Sequence, residues 1–321
     1  MTALRIGTRA SALALWQAKH VEALIRAQPG APAVELVPIR TEGDVRTDVP
    51  LWAIRGRAFF TKEIDRALLD GQVDIAVHSL KDLATELESG IDLAAALERE
   101  DPRDALISRD GRPLAELPAG ARIGTSSLRR RAFLARLRPD ARLLELRGNV
   151  PTRVARLTAG DYDAIVLAAA GLKRLGLDQH VTELLSPRNF PPAVSQGAIG
   201  VCIRAGDGNV LRWVEKLDHL PTRLATTAER ALLRQLEAGC QVPMGALGEL
   251  TGADDDSRLE MRAAVCALDG STMLAVNGAA PANALSARDL GRALADELVA
   301  QGAGKLIAAE RDARRSGEIS S

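Results

Sequence analysis

The sequence predicts an α/β protein of two related lobes followed by a small α+β domain, and three observations carry this reading. First, the stretch Gly124-Thr125-Ser126-Ser127-Leu128-Arg129-Arg130-Arg131 follows a short strand at 121–123, and Leu128, Phe133, Leu134 and Leu137 recur after it at helical spacing. Second, Arg5-Ile6-Gly7-Thr8 recurs as Arg122-Ile123-Gly124-Thr125. Gly71-x-x-Asp74 before an apolar strand likewise recurs as Gly160-x-x-Asp163 before Ala164-Ile165-Val166-Leu167. The matching residues are few, but the two signals keep the same order in both halves. Third, beyond a strong helix over 222–236 the pattern changes to strands near 258–268 and 272–277 and a helix near 285–301. The reading is two lobes with anion-binding turns facing a shared cleft, and an appended domain.

Composition bounds the function. With 42 basic and 42 acidic residues the formal net charge is 0, and aromatics make up only 2% of the 321 residues. A general nucleic-acid binder needs a basic surplus and often stacking aromatics, so any basic patch here serves a local anion. The 46% hydrophobic content supports aliphatic cores. The longest apolar run, at 164–172, is too short to span a bilayer, and the N-terminus leads straight into a strand with no basic-then-apolar signal. Three cysteines, Cys202, Cys240 and Cys266, form no CxxC pair, which fits a reducing cytoplasm and opposes a zinc site or a disulfide framework.

In chain order, residues 4–9 read as a strand, 11–27 as a helix with Ser11 near its N-cap, and 34–39 as a second strand. Residues 41–60 are irregular and charged, as expected of a functional lid or a disordered segment. A helix over 61–69, a strand at 73–77 and another at 91–97 follow, then the charged run Glu98-Arg99-Glu100-Asp101-Pro102-Arg103-Asp104. In the second lobe, strands at 143–146 and 164–167 lead into Arg147-Gly148-Asn149-Val150-Pro151-Thr152-Arg153 and into 170–176. Residues 187–192 form a proline-rich turn, and 198–203 a strand returning to the first lobe. Gly239 gives a C-cap signal before a loop over 239–245, and the tail from Arg311 reads as frayed.

Arg9, Arg129, Arg130, Arg147, Arg153 and Arg174 all fall at predicted strand ends or helix starts. Ligands of open α/β sheets gather there, helix N-termini favour negative charge, and guanidinium forks match carboxylates. The pattern points to a shared polyanion site. The same Thr125-Ser126-Ser127 stretch is also what an ordinary N-cap before a solvated basic face looks like. Asp82 is the carboxylate at such a position, beside Lys81; it suits proton relay or cation stabilisation, or a structural salt bridge. Cys202 and Cys266 sit in strand-like apolar runs and read as core. Cys240, on a glycine-flanked loop, is a candidate nucleophile or attachment point.

The strings Arg9-x-Ser11-x-Leu13-Ala14-Leu15-Trp16-Gln17, His78-Ser79-Leu80-Lys81-Asp82, Arg99-Glu100-Asp101-Pro102-Arg103-Asp104, 124–130, Leu146-Arg147-Gly148-Asn149-Val150, 170–176 and Gly239-Cys240-Gln241-Val242-Pro243 run in one order over nearly the whole chain. Together they resemble the porphobilinogen deaminase (hydroxymethylbilane synthase) family. The resemblance implies two lobes like type II periplasmic binding proteins, over 1–97 with 198–215 and over 103–191, and an α+β domain over 220–321 carrying the cysteine. It implies a transferase of tetrapyrrole (porphyrin, heme) biosynthesis, cytoplasmic and monomeric. Such an enzyme joins four porphobilinogen molecules head-to-tail into hydroxymethylbilane, releasing ammonia each time, with no metal, nucleic-acid or membrane partner. The primer is a dipyrromethane cofactor, thioether-linked at the position of Cys240.

By the same resemblance, Asp82 is the catalytic carboxylate on the pyrrole nitrogens. Lys81, Ser11, Thr125, Ser126, Ser127, Arg129, Arg130 and Arg147 bind the cofactor. Arg9, Arg153, Arg174, Gln196, Phe60 and Arg57 face the substrate. Departures from the family pattern fall at Ala58, where a glycine is usual, at Ala84 in place of proline, at Ser195 in place of glycine, and at Cys202 in place of glutamate. A two-lobe anion receptor would explain the arginines but neither the third domain nor Cys240, and a nucleic-acid binder would explain the arginines alone.

Overall fold

The computed structural model describes residues 3–41, 43, 61–236, 242–252 and 256–308. The expectations for the 41–60 lid, for the 239–241 loop and for the tail from Arg311 fall largely or wholly outside these residues. The chain begins with β1 (Leu4–Arg9), α1 (Ala12–Arg26), β2 (Val34–Ile39), α2 (Lys62–Leu69), β3 (Ile75–Ser79), a 3-10 turn at Leu80–Asp82 and β4 (Ile91–Ala96). It continues through β5 (Asp104–Ser108), β6 (Arg122–Gly124), α3 (Leu128–Leu137), β7 (Arg142–Leu144), α4 (Val150–Thr158), β8 (Ala164–Ala168), α5 (Ala169–Arg174) and β9 (Glu183–Leu184). Last come β10 (Ile199–Arg204), α6 (Gly208–Val214), α7 (Leu220–Gln235), β11 (Met244–Thr251), β12 (Arg258–Cys266), β13 (Met273–Pro281) and α8 (Ala284–Ala300). Two compact units result, one of residues 1–48, 56–101 and 196–223, the other of 49–55, 102–195 and 224–321.

The first unit holds a sheet of order β2-β1-β3-β10-β4, and the second a sheet of order β7-β6-β8-β5-β9. In the first, β1 runs parallel to β2 and β3 while β10 is antiparallel to β3 and β4. In the second, β6 runs parallel to β7 and β8 while β5 is antiparallel to β8 and β9. The two sheets therefore share one plan, and in each the antiparallel strand comes from outside the lobe's own run of alternating strands and helices. This is the topology of type II periplasmic-binding lobes. β10, read from sequence as a strand returning to the first lobe, pairs there.

The sequence echo is a structural clamp used twice. The Arg5 backbone N–H and Nε donate to Asp74 Oδ2 at 3.0 Å each, and Nη2 reaches Asp74 Oδ1 and the Gly71 carbonyl at 2.9 Å. In the second lobe the Arg122 N–H and Nε donate to Asp163 Oδ2 at 2.9 and 3.2 Å, and Nη2 reaches Asp163 Oδ1 at 2.9 Å and the Gly160 carbonyl at 3.0 Å. Against a burial penalty, Arg5 holds the Asp74 carboxyl below its usual range, and Arg122 holds that of Asp163 below it in the same way. Both clamps tie one strand (β1 or β6) to the turn before the parallel strand that pairs with it (β3 or β8), setting which strands lie side by side.

Central strands are buried on both faces, which is why they read as continuous apolar runs. Ile6, Ile75, Val77 and Val201 pack on one face of the first sheet; Ala76, Ala96 and Cys202 pack on the other. In the second lobe Ile123 and Val166 oppose Ile165 and Leu167 in the same alternation. Gly124 is needed where β6 passes Tyr162, since a Cβ there would meet the Tyr162 ring at 2.8 Å.

The C-terminal α+β domain is the antiparallel sheet β11-β12-β13 with α7 and α8 packed through Leu224, Ala228, Leu232, Leu290, Leu294 and Leu298. Burial along β12 alternates and then becomes continuous from Ala263. Of its last residues Val265 stays in the domain's own core, while Ala264 and Cys266 join Phe133 and Phe190 of the second lobe. There the Cys266 thiol donates to the Ala132 carbonyl at 3.6 Å. Cys202 and Cys266 are both fully buried, as their apolar strand contexts predict.

Three strands were not legible, the two-residue β9 among them. Asp104 is the last of seven mostly charged residues, yet it is fully buried and opens β5. Met244–Thr251 lies just past the cysteine loop and carries two glycines, which conceal its strand pattern. The departure at Ser195 also has a structural meaning. Ser195 has φ 62, a region that favours glycine, and its N–H donates to Oε2 of the fully buried Glu229 at 2.6 Å. Glu229 Oε1 accepts the Gly248 N–H at 2.9 Å. Glu229→Ala strands both buried donors and should lower stability by about 2–6 kcal/mol, a sum of two unsatisfied groups. Glu229→Gln, which keeps one acceptor oxygen, should lose less. Urea unfolding checks this, and an unchanged midpoint for the alanine variant would refute it.

Candidate active site

In the first unit the parallel pairing of β1 and β3 brings their carboxyl ends to one edge of the sheet, where ligands of open α/β sheets bind. β1 ends at Arg9, and Ser11 caps α1 by accepting the Ala14 N–H at 3.4 Å. β3 runs into the 3-10 turn, whose Leu80 is fully buried while Lys81 is exposed and Asp82 half-buried. One pocket gathers these residues. Arg9, Ser11, Leu13, Ala14 and Gln17 line it from the β1–α1 side. Val77, His78, Ser79, Lys81 and Asp82 line it from β3, and Thr61 from the start of α2.

The Lys81–Asp82 salt bridge that the sequence allows does not form. Lys81 Nζ instead donates to Gln196 Oε1 at 3.3 Å, and the Gln196 carbonyl accepts from Arg99 Nε at 2.8 Å. No ion pair or hydrogen bond engages the Asp82 side chain among the described residues. A lone carboxylate beside Arg9 and Lys81 can accept N–H groups of a ligand whose own anions the cations hold.

The strand end is held from below. Gln17 Nε2 donates to Ser79 Oγ at 2.9 Å, and Ser79 Oγ donates to Gln17 Oε1 at 3.2 Å. On the other face His78 Nε2 lies 3.6 Å from Oδ1 of Asp65, and both residues are buried. Burial pushes the Asp65 carboxyl up to about 6, the Thr61 hydroxyl opposing and Glu88 and Glu63 adding to the shift. Burial, with the Arg9 charge, lowers the His78 imidazole to about 4.

In the second unit the helix-start hydroxyls serve the helix first. Ser127 caps α3 by accepting the Arg130 N–H at 3.4 Å, Thr125 Oγ1 accepts the Ser127 N–H at 3.2 Å, and Thr125 and Ser126 are buried. Arg129 and Arg130, expected to reach ligand carboxylates, are also buried and grip a carboxylate of the chain itself. Arg129 Nη2 lies 2.7 Å from Asp104 Oδ2, and Arg130 Nε and Nη2 donate to Asp104 Oδ1 at 2.9 and 2.7 Å. Two guanidiniums share one fully buried carboxylate, leaving a surplus positive charge. Burial, with Arg130 alongside, drives the Arg129 guanidinium below its usual range against the pull of Asp104.

Arg147 and Arg153 extend this cluster. Burial, followed by the charges of Arg130 and Arg147, lowers Arg153 to about 10, and its Nε donates to the Gly148 carbonyl at 2.8 Å. Glu145 sits among these cations; burial raises its carboxyl against the opposing charges of Arg147, Arg131 and Arg153. Arg174 closes α5, half-buried. Arg57, Phe60 and Cys240 lie outside the described residues. Sequence reasoning passed over Asp104, Asp65, Glu145 and Arg131. A charged residue opening the apolar run Ala105-Leu106-Ile107 was the one available signal for Asp104.

The described residues thus form two α/β lobes of one plan, with a carboxylate-bearing pocket in one and a cationic cluster in the other, followed by an α+β domain. Family comparison narrows this. Residues 4–212 match the model described as porphobilinogen deaminase, dipyromethane cofactor binding domain, and residues 223–300 match porphobilinogen deaminase, C-terminal domain. The chain belongs to the porphobilinogen deaminase family. The porphobilinogen deaminase of Nitratidesulfovibrio vulgaris (strain DSM 19637 / Miyazaki F) is 44% identical over 310 residues, covering 96% of this chain and 97% of the relative. Similar solved structures include the Bordetella pertussis BvgS periplasmic VFT2 domain (13% identity, TM-score 0.39, 67% of this chain and 86% of that one). A periplasmic binding protein from Brucella ovis with glutathione bound is similar at 18% identity and TM-score 0.37, over 74% of this chain and 70% of that one.

Proposed function

We propose that the chain is a transferase that condenses four porphobilinogen molecules head-to-tail into hydroxymethylbilane with release of ammonia, and that Asp82 carries the chemistry. The observation behind this is the unpaired Asp82 carboxylate in a pocket shared with Arg9 and Lys81. Porphobilinogen bears acetate and propionate, which suit Arg9 and Lys81, and a pyrrole N–H, which suits Asp82. When ammonia leaves, positive charge develops on the ring; Asp82 stabilises it and then accepts the proton released from the newly joined ring carbon. Gln196, through its bond to Lys81, orients the ammonium beside Asp82.

A dipyrromethane group fits the donor set. The charges of Arg130 and Arg147 act against that of Arg153, and a ligand with several carboxylates relieves that repulsion. The residues that would hold it are Lys81, Ser11, Thr125, Ser126, Ser127, Arg129, Arg130 and Arg147, with a thioether to Cys240. When bound, the group supplies the terminal pyrrole carbon to which each new unit is joined. Arg153, Arg174, Arg57 and Phe60 act on the incoming substrate. The working divisions are 1–97 with 198–215, 103–191, and 220–321. The protein works as a cytoplasmic monomer without nucleic-acid, membrane or metal partners. Among the described residues no helix is long and apolar enough to cross a membrane, and no acidic, histidine or cysteine cluster could hold a metal ion.

Intact mass spectrometry tests the anchor. Wild-type protein should carry a covalent adduct with the mass of two condensed pyrroles, retained in Cys202→Ala and Cys266→Ala and absent in Cys240→Ser. An adduct mapped to another cysteine would overturn the assignment of Cys240, and wild-type protein that releases no ammonia from porphobilinogen would overturn the activity.

A further inference from the structure

Two buried titratable groups beneath the pocket have no part in the chemistry just described. His78 is the last residue but one of β3 and lies four positions before Asp82. Alternation along the strand sends His78 and Ser79 to opposite faces. Ser79 is gripped by Gln17 from α1. His78 Nε2 lies 3.6 Å from Asp65 Oδ1 of α2, beyond hydrogen-bond length, and neither atom has a hydrogen-bond partner among the described residues. The end of β3 thus meets a different helix on each face, hydrogen-bonded to α1 and in contact with α2.

We propose that Asp65 is a positioning residue, which holds His78 against α2 and thereby fixes the strand end from which Lys81 and Asp82 reach the pocket. The inference rests on the assignment of the chemistry to Asp82. Above about pH 6 Asp65 is ionised, and burial keeps His78 neutral down to about 4, so a neutral imidazole lies against the carboxylate. The groups that act on the pair are Thr61, Glu63 and Glu88 on the Asp65 side and Arg9 on the His78 side. A charged His78 would face Arg9, so the neutral ring is the form compatible with the pocket's cation. Below about pH 6 Asp65 takes up a proton and the hold weakens.

Linkage gives the pair a signature in stability. The folded state binds the Asp65 proton more tightly than the unfolded chain, so this group makes stability fall as pH rises from about 4 to 6. His78 binds its proton less tightly when folded, so it makes stability rise as pH climbs from about 4 to 6.5. The two slopes oppose each other. Asp65→Asn removes the first and leaves the second.

The experiment uses full-length holoenzyme of the parent, Asp65→Asn, Asp65→Glu, His78→Gln, the Asp65→Asn/His78→Gln double variant, and Asp82→Asn. Ammonia release is followed from pH 5 to 8, and thermal unfolding from pH 4 to 6.5. Asp65→Asn should lower kcat about tenfold at pH 8, the scale of a displaced reacting group, with KM for porphobilinogen unchanged. The acid limb of kcat near pH 6 should vanish in Asp65→Asn and persist in Asp65→Glu. The unfolding midpoint of Asp65→Asn should climb more steeply with pH than the parent's. The double variant should be no slower than the slower single variant, because both act through one contact. An Asp65→Asn enzyme with the parent's kcat and acid limb would overturn the proposal, as would losses that multiply in the double variant. If the His78→Gln proteins do not fold, the Asn–Glu comparison at position 65 decides alone. A slow Asp82→Asn beside an unaltered Asp65→Asn removes only the positioning role; a fast Asp82→Asn removes the assignment of Asp82 and the proposal with it.

Discussion

Asp82→Asn should fold normally and slow each condensation by about a hundredfold or more, the usual contribution of a positioned acid–base group. The asparagine keeps the size of the side chain and removes its charge. Every charge that develops as ammonia departs is positive, and the pocket already contains Arg9 and Lys81. With the carboxylate gone, no other carboxylate lines the pocket among the described residues to offset that repulsion or take the proton from the joined ring carbon. Folding should not suffer, because Asp82 is half-buried and no side chain pairs with it among the described residues. Asp82→Glu should keep part of the rate with displaced geometry. The measurement is single-turnover ammonia release by protein whose mass confirms the covalent adduct. A rate within a few-fold of the parent would show Asp82 to be structural.

Asp104→Ala should instead act on the fold. The Asp104 carboxylate is fully buried and lies 2.7 Å from Arg129 Nη2 and 2.7 Å from Arg130 Nη2. Removing it leaves two adjacent buried guanidiniums without a counter-charge, and breaking a buried pair in this way costs about 3–5 kcal/mol. Arg129 would retain its bond to the Pro191 carbonyl and Arg130 its bond to the Val166 carbonyl, so the arginines would stay desolvated and uncompensated. Urea unfolding of the single variant gives the cost. Adding Arg130→Met should recover part of the loss, because the second change removes one of the stranded charges. An Asp104→Ala protein as stable as the parent would show that the surplus charge is already balanced from elsewhere.

These two aspartates were unequally visible. Asp82 follows an apolar strand and precedes no helix pattern, so its place at a strand's carboxyl end was legible from residues 73–82 alone. Asp104 closes a run of charged residues and carried the pattern of a solvated loop. Its burial comes from β8 and β9 pairing on either side of β5, contacts to residues 60 or more positions away. Arg129 and Arg130 show the same limit from the other direction. Adjacent arginines at a helix start read as anion binders, and so they are, but an internal carboxylate reaches them first. The orientation of a long side chain depends on which partners the fold delivers, and sequence spacing does not encode that.

By itself the sequence determined the elements whose signals are local. These are the strand-glycine-hydroxyl-helix turns, the aliphatic strands of both sheets, the capped helices, and the recurrence of Arg-Ile-Gly-Thr with Gly-x-x-Asp. Each follows from periodicity, capping or turn chemistry within a dozen residues, and their order over the whole chain sufficed to indicate the family. Tertiary structure decided what depends on distant partners. It turned the short echo into two equivalent arginine–aspartate clamps, gave Lys81 to Gln196 and left Asp82 unpaired. It buried Asp65 against His78, and it drew the end of β12 into the core of the second lobe. For the buried Asp65 the deciding quantity is desolvation, which raises its proton affinity, and desolvation exists only once the layers have closed.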